Sequence, residues 1–157
     1  MYRIGQGIDF HQLVDNVPLI LGALHVPYYK GSEGHSDGDV LLHSITDGIL
    51  GAIGDGDIGQ HFPSSNNKWK DAKSSIFLEH AVSLLKNKKY KIINIDSTII
   101  LQRPKIASYV SEMKKNISQI VCCDDISIKS TTTDYLGFIG KSKGICAMST
   151  ILVKKES

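Results

Sequence analysis

Residues 35–53 read HSDGDVLLHSITDGILGAI. The first five are polar and carry a glycine, as a loop does. After them Leu42, Ile45, Ile49 and Ile53 recur at three- and four-residue spacing, which predicts a helix with one buried stripe. Ser36 or Asp37 is the expected N-cap. Upstream, Tyr2 to Leu13 alternates like a strand that ends near Asp15 and Asn16. Leu19 to Val26, with Gly22 inside, reads as a second extended stretch, and Lys30 to Asp37 (KGSEGHSD) as a polar loop. Downstream, Gly54 to Asn67 reads as a loop and Ser75 to Lys86 as a helix. Ile93, Ile95, Ile99 and Leu101 alternate with Asn94, Asp96 and Thr98, the pattern of a half-buried strand. Pro104 is expected in the first turn of a helix continued by Ile106, Val110, Met113, Ile117 and Val121. Ile126 to Thr131 is a short strand, Thr132 to Gly144 a loop, and Ile145 to Val153 a last strand. Strands and helices alternate rather than form blocks. The expected class is α/β, an α+β two-layer sandwich with a mixed four-stranded sheet and helices on one face, in a single domain over residues 1–157.

The 157 residues suffice for one hydrophobic core. Eighteen Lys and Arg against 16 Asp and Glu leave a charge of +2, too small to make nucleic acid the expected partner. Lys86, Lys88, Lys89 and Lys91 read as a solvated helix end, where cations meet the negative pole of the helix dipole. Cys122, Cys123 and Cys146 are odd in number and form no CxxC pair, which argues against a disulfide framework or a thiolate metal site. No apolar run approaches the ~20 residues that span a bilayer, and the opening MYRIGQGIDF lacks a signal-peptide core. The expectation is a cytoplasmic protein that binds neither membrane nor nucleic acid.

Chemistry gathers in five places. Asp9 and His11, two apart on a strand, share a face. Asp39, His43 and Asp47 are spaced by four and share a helical stripe. Carboxylate and imidazole suit zinc or a neighbouring transition metal, and Asp9, His11 and His43 as three ligands leave a fourth position for substrate. The alternative makes His11 a strand cap and His43 a satisfied, half-buried histidine, and spacing alone favours it, since DxH is a weak motif. Gly34 to Asp39, a loop running into a helix start, suits either an anion site or plain capping. Lys129-Ser130-Thr131-Thr132-Thr133-Asp134 offers hydroxyls and an acid for phosphate and Mg²⁺, or simply β-propensity. Gln102-Arg103-Pro104-Lys105 is a second possible anion site or a strand-to-helix turn. His25, His61 and His80 are given no role, and Trp69 is read as a packing anchor.

Together these stretches resemble one family. GxDxH near the start is followed by HSDGDVLLHSITDGILG, GDIGQHFP, a QxPK turn and KSTTTDYLGFIGKSKG, in order over Arg3 to Lys154. The family is that of 2-C-methyl-D-erythritol 2,4-cyclodiphosphate synthases of the non-mevalonate isoprenoid pathway. The resemblance implies a homotrimer of α/β subunits with sheets facing inward and active sites between neighbours. The implied substrate is 4-diphosphocytidyl-2-C-methyl-D-erythritol 2-phosphate, whose 2-phosphate attacks its own β-phosphorus and releases CMP. Asp9, His11 and His43 match the zinc ligands, and Asp134 matches the acid holding a second ion, Mg²⁺ or Mn²⁺. His35 and Thr132 match catalytic positions, with Ser36 on the loop that closes over substrate. Asp57, Ile58 and Gly59 match contacts to the erythritol portion, and Phe62 is a further substrate contact. Leu101, Gln102, Arg103, Pro104, Lys105, Ile106 and Ala107 correspond to the cytidine pocket; Thr131, Thr133, Phe138 and Lys141 complete the implied substrate-binding set.

Four departures from the family pattern stand out. Asp134 replaces the usual glutamate and is one methylene shorter. Ile8 stands for a frequent phenylalanine facing the trimer axis. Lys141 stands for a frequent arginine and loses the bidentate fork. Ser64, Ser65 and Asn66 replace a more acidic loop. Two other readings compete: a zinc hydrolase that uses bound water as nucleophile, and a non-catalytic trimer braced by zinc. Three protein ligands, rather than the closed four of structural zinc, count against the second.

Overall fold

The structure is a computed structural model that describes residues 1–156. Its long first strand, β1 (Tyr2–Asp15), splits its side chains between two faces. Gly5, Gly7, Asp9, His11 and Leu13 turn inward, while Ile4, Ile8 and Phe10 stay 69, 46 and 57% exposed on the other side. Leu19 to Val26 is not one stretch: β2 (Leu19–Leu21) and β3 (Leu24–Val26) form a hairpin. Gly22 and Ala23, both at positive φ, make its turn. β4 (Lys30–Glu33), expected as loop, pairs antiparallel with Gln12–Asp15 of β1. The sheet therefore has five strands rather than four. A four-residue edge strand reading Lys-Gly-Ser-Glu carries no hydrophobic alternation, so periodicity passes over it.

Helix α1 (Val40–Ile53) follows, with Leu41, Leu42, Ile45, Ile49 and Leu50 wholly buried. Each such side chain contributes roughly 1.5–3 kcal/mol of apolar burial, which seats the helix on the sheet. Its N-cap is Asp39, not Ser36 or Asp37. The Asp39 carboxylate accepts from Leu42 N and also from Gly22 N and Ala23 N, so it ties the hairpin turn to the helix start. The expected loop after α1 contains α2 (Ile58–His61), capped by Asp57, and α3 (Ser74–Asn87) then packs on the outer side of α1. Lys88, just past the end of α3, donates to the Ile53 carbonyl and pairs with Asp55.

β5 (Tyr90–Ile100) leads to a turn in which Pro104 precedes a 3₁₀ turn, Ala107–Tyr109. α4 (Val110–Val121) begins only after it, so Pro104 does not lie in a first helical turn. Met113, Ile117 and Val121 are its buried stripe. β6 (Ile126–Thr131) runs parallel to β5; the following loop contains the short α5 (Gly137–Gly140), and β7 (Gly144–Lys155) closes the sheet. The strand order is β4-β1-β7-β5-β6, antiparallel except for β5 with β6.

Helix α1 lies very close to the sheet. A Cβ on Gly7 would stand 2.0 Å from the Ser44 carbonyl oxygen, and one on Gly5 1.9 Å from that of Gly48. Beside this contact three buried hydroxyls form a line from β5 through β7 to α1. Ser97 Oγ lies 2.8 Å from Ser149 Oγ, and Ser149 Oγ lies 2.7 Å from Ser44 Oγ. Ser44 in turn donates to the Leu41 carbonyl. No helix among the described residues is long and apolar enough to cross a membrane.

Two outcomes follow. Gly7→Ala forces α1 off the sheet and lowers stability by about 3 kcal/mol, the upper end of ordinary overpacking, because the two nearest clashing atoms, the Ser44 carbonyl oxygen and Gly48 N, are backbone; urea denaturation of the metal-free protein measures it. Burial pushes the Asp39 carboxyl up to about 6, against its backbone donors and with repulsion from Asp37 adding to the rise. A raised acid binds its proton more readily in the folded state, so its contribution to stability falls as pH rises from about 4 to about 6. Asp39→Asn flattens that part of the stability–pH curve, which denaturant midpoints between pH 4 and 7 record.

Candidate metal centre

Asp9 and His11 project from the inward face of β1, and His43 from the first turn of α1 above them. The close approach at Gly7 brings the two elements within ligand range. Asp9 Oδ2 lies 2.9 Å from His11 Nε2 and 3.0 Å from His43 Nδ1, and the two nitrogens are 3.3 Å apart. Ligands about 2.0–2.1 Å from a tetrahedral zinc stand about 3.3 Å from one another, so this triangle fits such an ion. Among the described residues it is the only set of three His, Cys, Asp or Glu groups that converges in this way. The free cysteines take no part.

The electrostatics agree with the geometry. Burial raises the Asp9 carboxyl, but hydrogen bonds from His11 and His43 and their positive charge outweigh it, and the group comes down to about 2. Burial works against charge on His11 as well; the Asp9 carboxylate overcomes it, with the Glu33 carbonyl adding to the effect, and the imidazole stands above its ordinary value. His11 Nδ1–H donates to the Glu33 carbonyl at 2.8 Å, which leaves Nε2 to face Asp9. This backbone acceptor lies on β4, the strand that the sequence pattern hides.

The spacing-by-four stripe on α1 does not converge as a set. Asp39, a cap residue at φ −70 and ψ 89, swings back to the hairpin turn, and Asp47 accepts from Ile58 N at 2.8 Å. Only His43 of the three faces the centre. The triad opens into a cavity of about 240 Å³ lined also by His35, Ser36, Ile58, Gly59 and Phe62. His35 Nε2 lies 3.3 Å from the Asn66 carbonyl, and Ser36 Oγ lies 3.2 Å from His43 Nε2. Ser64, Trp69 and Phe77 line the same cavity. Trp69 is a packing anchor there, set edge-on against Phe62 at 4.8 Å. His61 and His80, given no role by the sequence, meet behind it at 3.3 Å.

A second cavity of about 250 Å³ holds Leu101, Gln102, Pro104, Lys105, Ile106, Ala107, Thr131 and Thr132. It shares no lining residue with the first. Gln102 Oε1 accepts from Tyr135 N, which pins the threonine loop to this turn. Several expected site residues line neither cavity. Asp57 caps α2, Thr133 donates to the Leu136 carbonyl, and Arg103 and Lys141 are exposed. Asp134 sits exposed at φ +50 beside Thr132, and Phe138 packs near Phe10 at the edge of the open sheet face.

The family model described as the YgbB family matches residues 2–154. Curated proteins named 2-C-methyl-D-erythritol 2,4-cyclodiphosphate synthase are similar over nearly the whole chain. The one from Bacillus subtilis is 49% identical over 157 residues, and that from Shouchella clausii 50%, each aligning over 99% of both chains. Among solved structures, the bifunctional IspDF from Campylobacter jejuni matches at a TM-score of 0.96 and 38% identity, covering all of this chain and 43% of that one. The CDP complex of IspF from Plasmodium falciparum matches at 0.88 and 38%, over 99 and 97% of the two chains. By sequence over its full span and by fold, the chain belongs to the YgbB family, whose curated members here are 2-C-methyl-D-erythritol 2,4-cyclodiphosphate synthases.

Proposed function

We propose that this chain, as one catalytic domain, converts 4-diphosphocytidyl-2-C-methyl-D-erythritol 2-phosphate to 2-C-methyl-D-erythritol 2,4-cyclodiphosphate and CMP. An oxygen of the 2-phosphate attacks the β-phosphorus, and the bond from that phosphorus to the bridging oxygen breaks, carrying its electrons out on CMP. The observation that carries the reading is the convergence of Asp9, His11 and His43 at the mouth of a cavity in a chain of this family. Zinc fits the donor set, and when bound it supplies Lewis acidity toward phosphate oxygens.

The chain's own residues have positional tasks. Internal attack needs no protein nucleophile, so catalysis rests on holding two phosphates in line and offsetting their charge. Ser36 and His35, on the loop before α1, reach the cavity and supply hydrogen-bond donors to phosphate oxygen. Ile58, Gly59 and Phe62 border the space that takes the methylerythritol chain. Leu101 to Ala107 accept the cytidine, with Thr131, Thr132 and Thr133 at the diphosphate and Asp134 holding the second ion, Mg²⁺ or Mn²⁺.

The metal cavity and the Leu101–Thr132 cavity lie apart in one chain, which supports an active site completed by a neighbouring subunit. The uncovered sheet face supports a trimer with sheets inward. Tyr2, Ile4, Ile8 and Phe10 form an apolar surface there, and Leu136 and Phe138 add to it. A patch of this kind on a soluble protein marks an association surface.

The test is turnover of the cytidyl substrate followed by CMP release. Chelation abolishes it, added zinc restores it, and His43→Ala lowers kcat/KM by at least about a thousandfold, the scale of losing a metal's charge stabilisation. In H₂¹⁸O the cyclic product carries no solvent oxygen. Full turnover by metal-free enzyme, or ¹⁸O in the product, sinks the reading.

A further inference from the structure

His43 has a second set of partners on the side away from Asp9. Its Nε2 lies 2.8 Å from Ser74 Oγ, at the start of α3, where Ser74 is fully buried. Ser74 Oγ also hydrogen-bonds Asp37 Oδ1, and the Ser74 N–H donates to Asp37 Oδ2 at 3.1 Å. The direction of this chain follows from its last member. Asp37, as a carboxylate, only accepts, so Ser74 gives its single hydroxyl proton to it. Ser74 Oγ then faces His43 as an acceptor, which places a proton on Nε2 and leaves Nδ1, which hydrogen-bonds the Asp9 carboxylate in the metal-free protein, as the nitrogen that gives up its proton to a bound ion.

On the functional reading above, we propose that Ser74 and Asp37 are positioning residues for the metal centre. They hold His43 in the tautomer and ring orientation that bind through Nδ1, and they raise its basicity. Backbone bonds beside this pair join the two loops at the site. Asp37 N donates to the Ala72 carbonyl at 3.0 Å, and Asp71 N donates to the His35 carbonyl at 2.8 Å. The loop carrying His35 and Ser36 is thus anchored at the point where the metal ligand is held. Because Ser74 takes the Nε2–H, Ser36 Oγ, at 3.2 Å, is left available to turn toward substrate.

Zinc affinity of the full chain, read by competition with a chromogenic chelator, is the test. Ser74→Ala is expected to weaken zinc binding about ten- to a hundredfold, the usual effect of removing a partner from a metal-bound histidine. Asp37→Asn, whose amide oxygen still accepts from Ser74, loses less. A second measurement needs no variant: nitrogen-15 spectra of the zinc-loaded wild-type imidazoles should show the His43 proton on Nε2. The opposite tautomer overturns the proposal, and so does unchanged zinc affinity in folded Ser74→Ala. Failure of the wild-type chain to bind zinc overturns the functional reading together with this proposal, whereas loss confined to the variants supports both.

Discussion

Everything at the site depends on how near α1 comes to β1. Gly5 and Gly7 remove side chains where the helix backbone passes, and Gly48 does the same for the helix against Ile151. Without that approach, a ligand on a helix and two on a strand would stand a side-chain diameter further apart. A triangle of donors with edges near 3 Å needs backbones this close. The glycines cost conformational freedom, and the surrounding burial of Leu41, Leu42, Ile45 and Ile49 offsets that cost. Stability and function here share one contact.

The centre is also held from three directions by elements far apart in the chain. The carbonyl of Glu33 on β4 orients His11, the β1 carboxylate sits between the two imidazoles, and α3 reaches His43 through Ser74. Asp39 adds an indirect hold by fixing the start of α1 against the β2–β3 turn. Most of these contacts are made by backbone groups or fully buried side chains, which keeps rotamer freedom low at the ligands. Precision of this kind is what phosphate alignment requires, since the chemistry leaves little else for the protein to do.

Much of this was legible in the sequence, in proportion to how local each cause is. The pairing of Asp9 with His11 follows from strand parity, and α1, α3, β5 and β7 follow from periodic burial. The order of five motifs identified the family that the comparisons also find. What escaped was non-local or unpatterned. Edge strand β4 has too few apolar residues to signal itself, and α2 and α5 span only four residues each. Residue type does not single out the cap at Asp39, because Asp37 is an equally good cap by type; in the fold Asp37 is occupied by Ser74. Ser74 itself stands 31 residues from His43, and no local rule links the two.

The line of hydroxyls from Ser97 through Ser149 to Ser44 has a consequence for how the chain finds this arrangement. Each hydroxyl has one proton to give, so the line runs in one direction and ends on the Leu41 carbonyl. A slip of β7 by one residue would replace Ser149 with Met148 or Thr150 and turn its alternation inside out. With Met148 in that place Ser97 would be buried with no acceptor for its proton, at about 1–3 kcal/mol, while Ser44 would keep only its bond to the Leu41 carbonyl. A greasy seam tolerates sliding; a seam with a polar thread does not. The three serines therefore favour one alignment of α1 on β5 and β7, and β7 in turn sets β1 and Asp9 in register beneath His43.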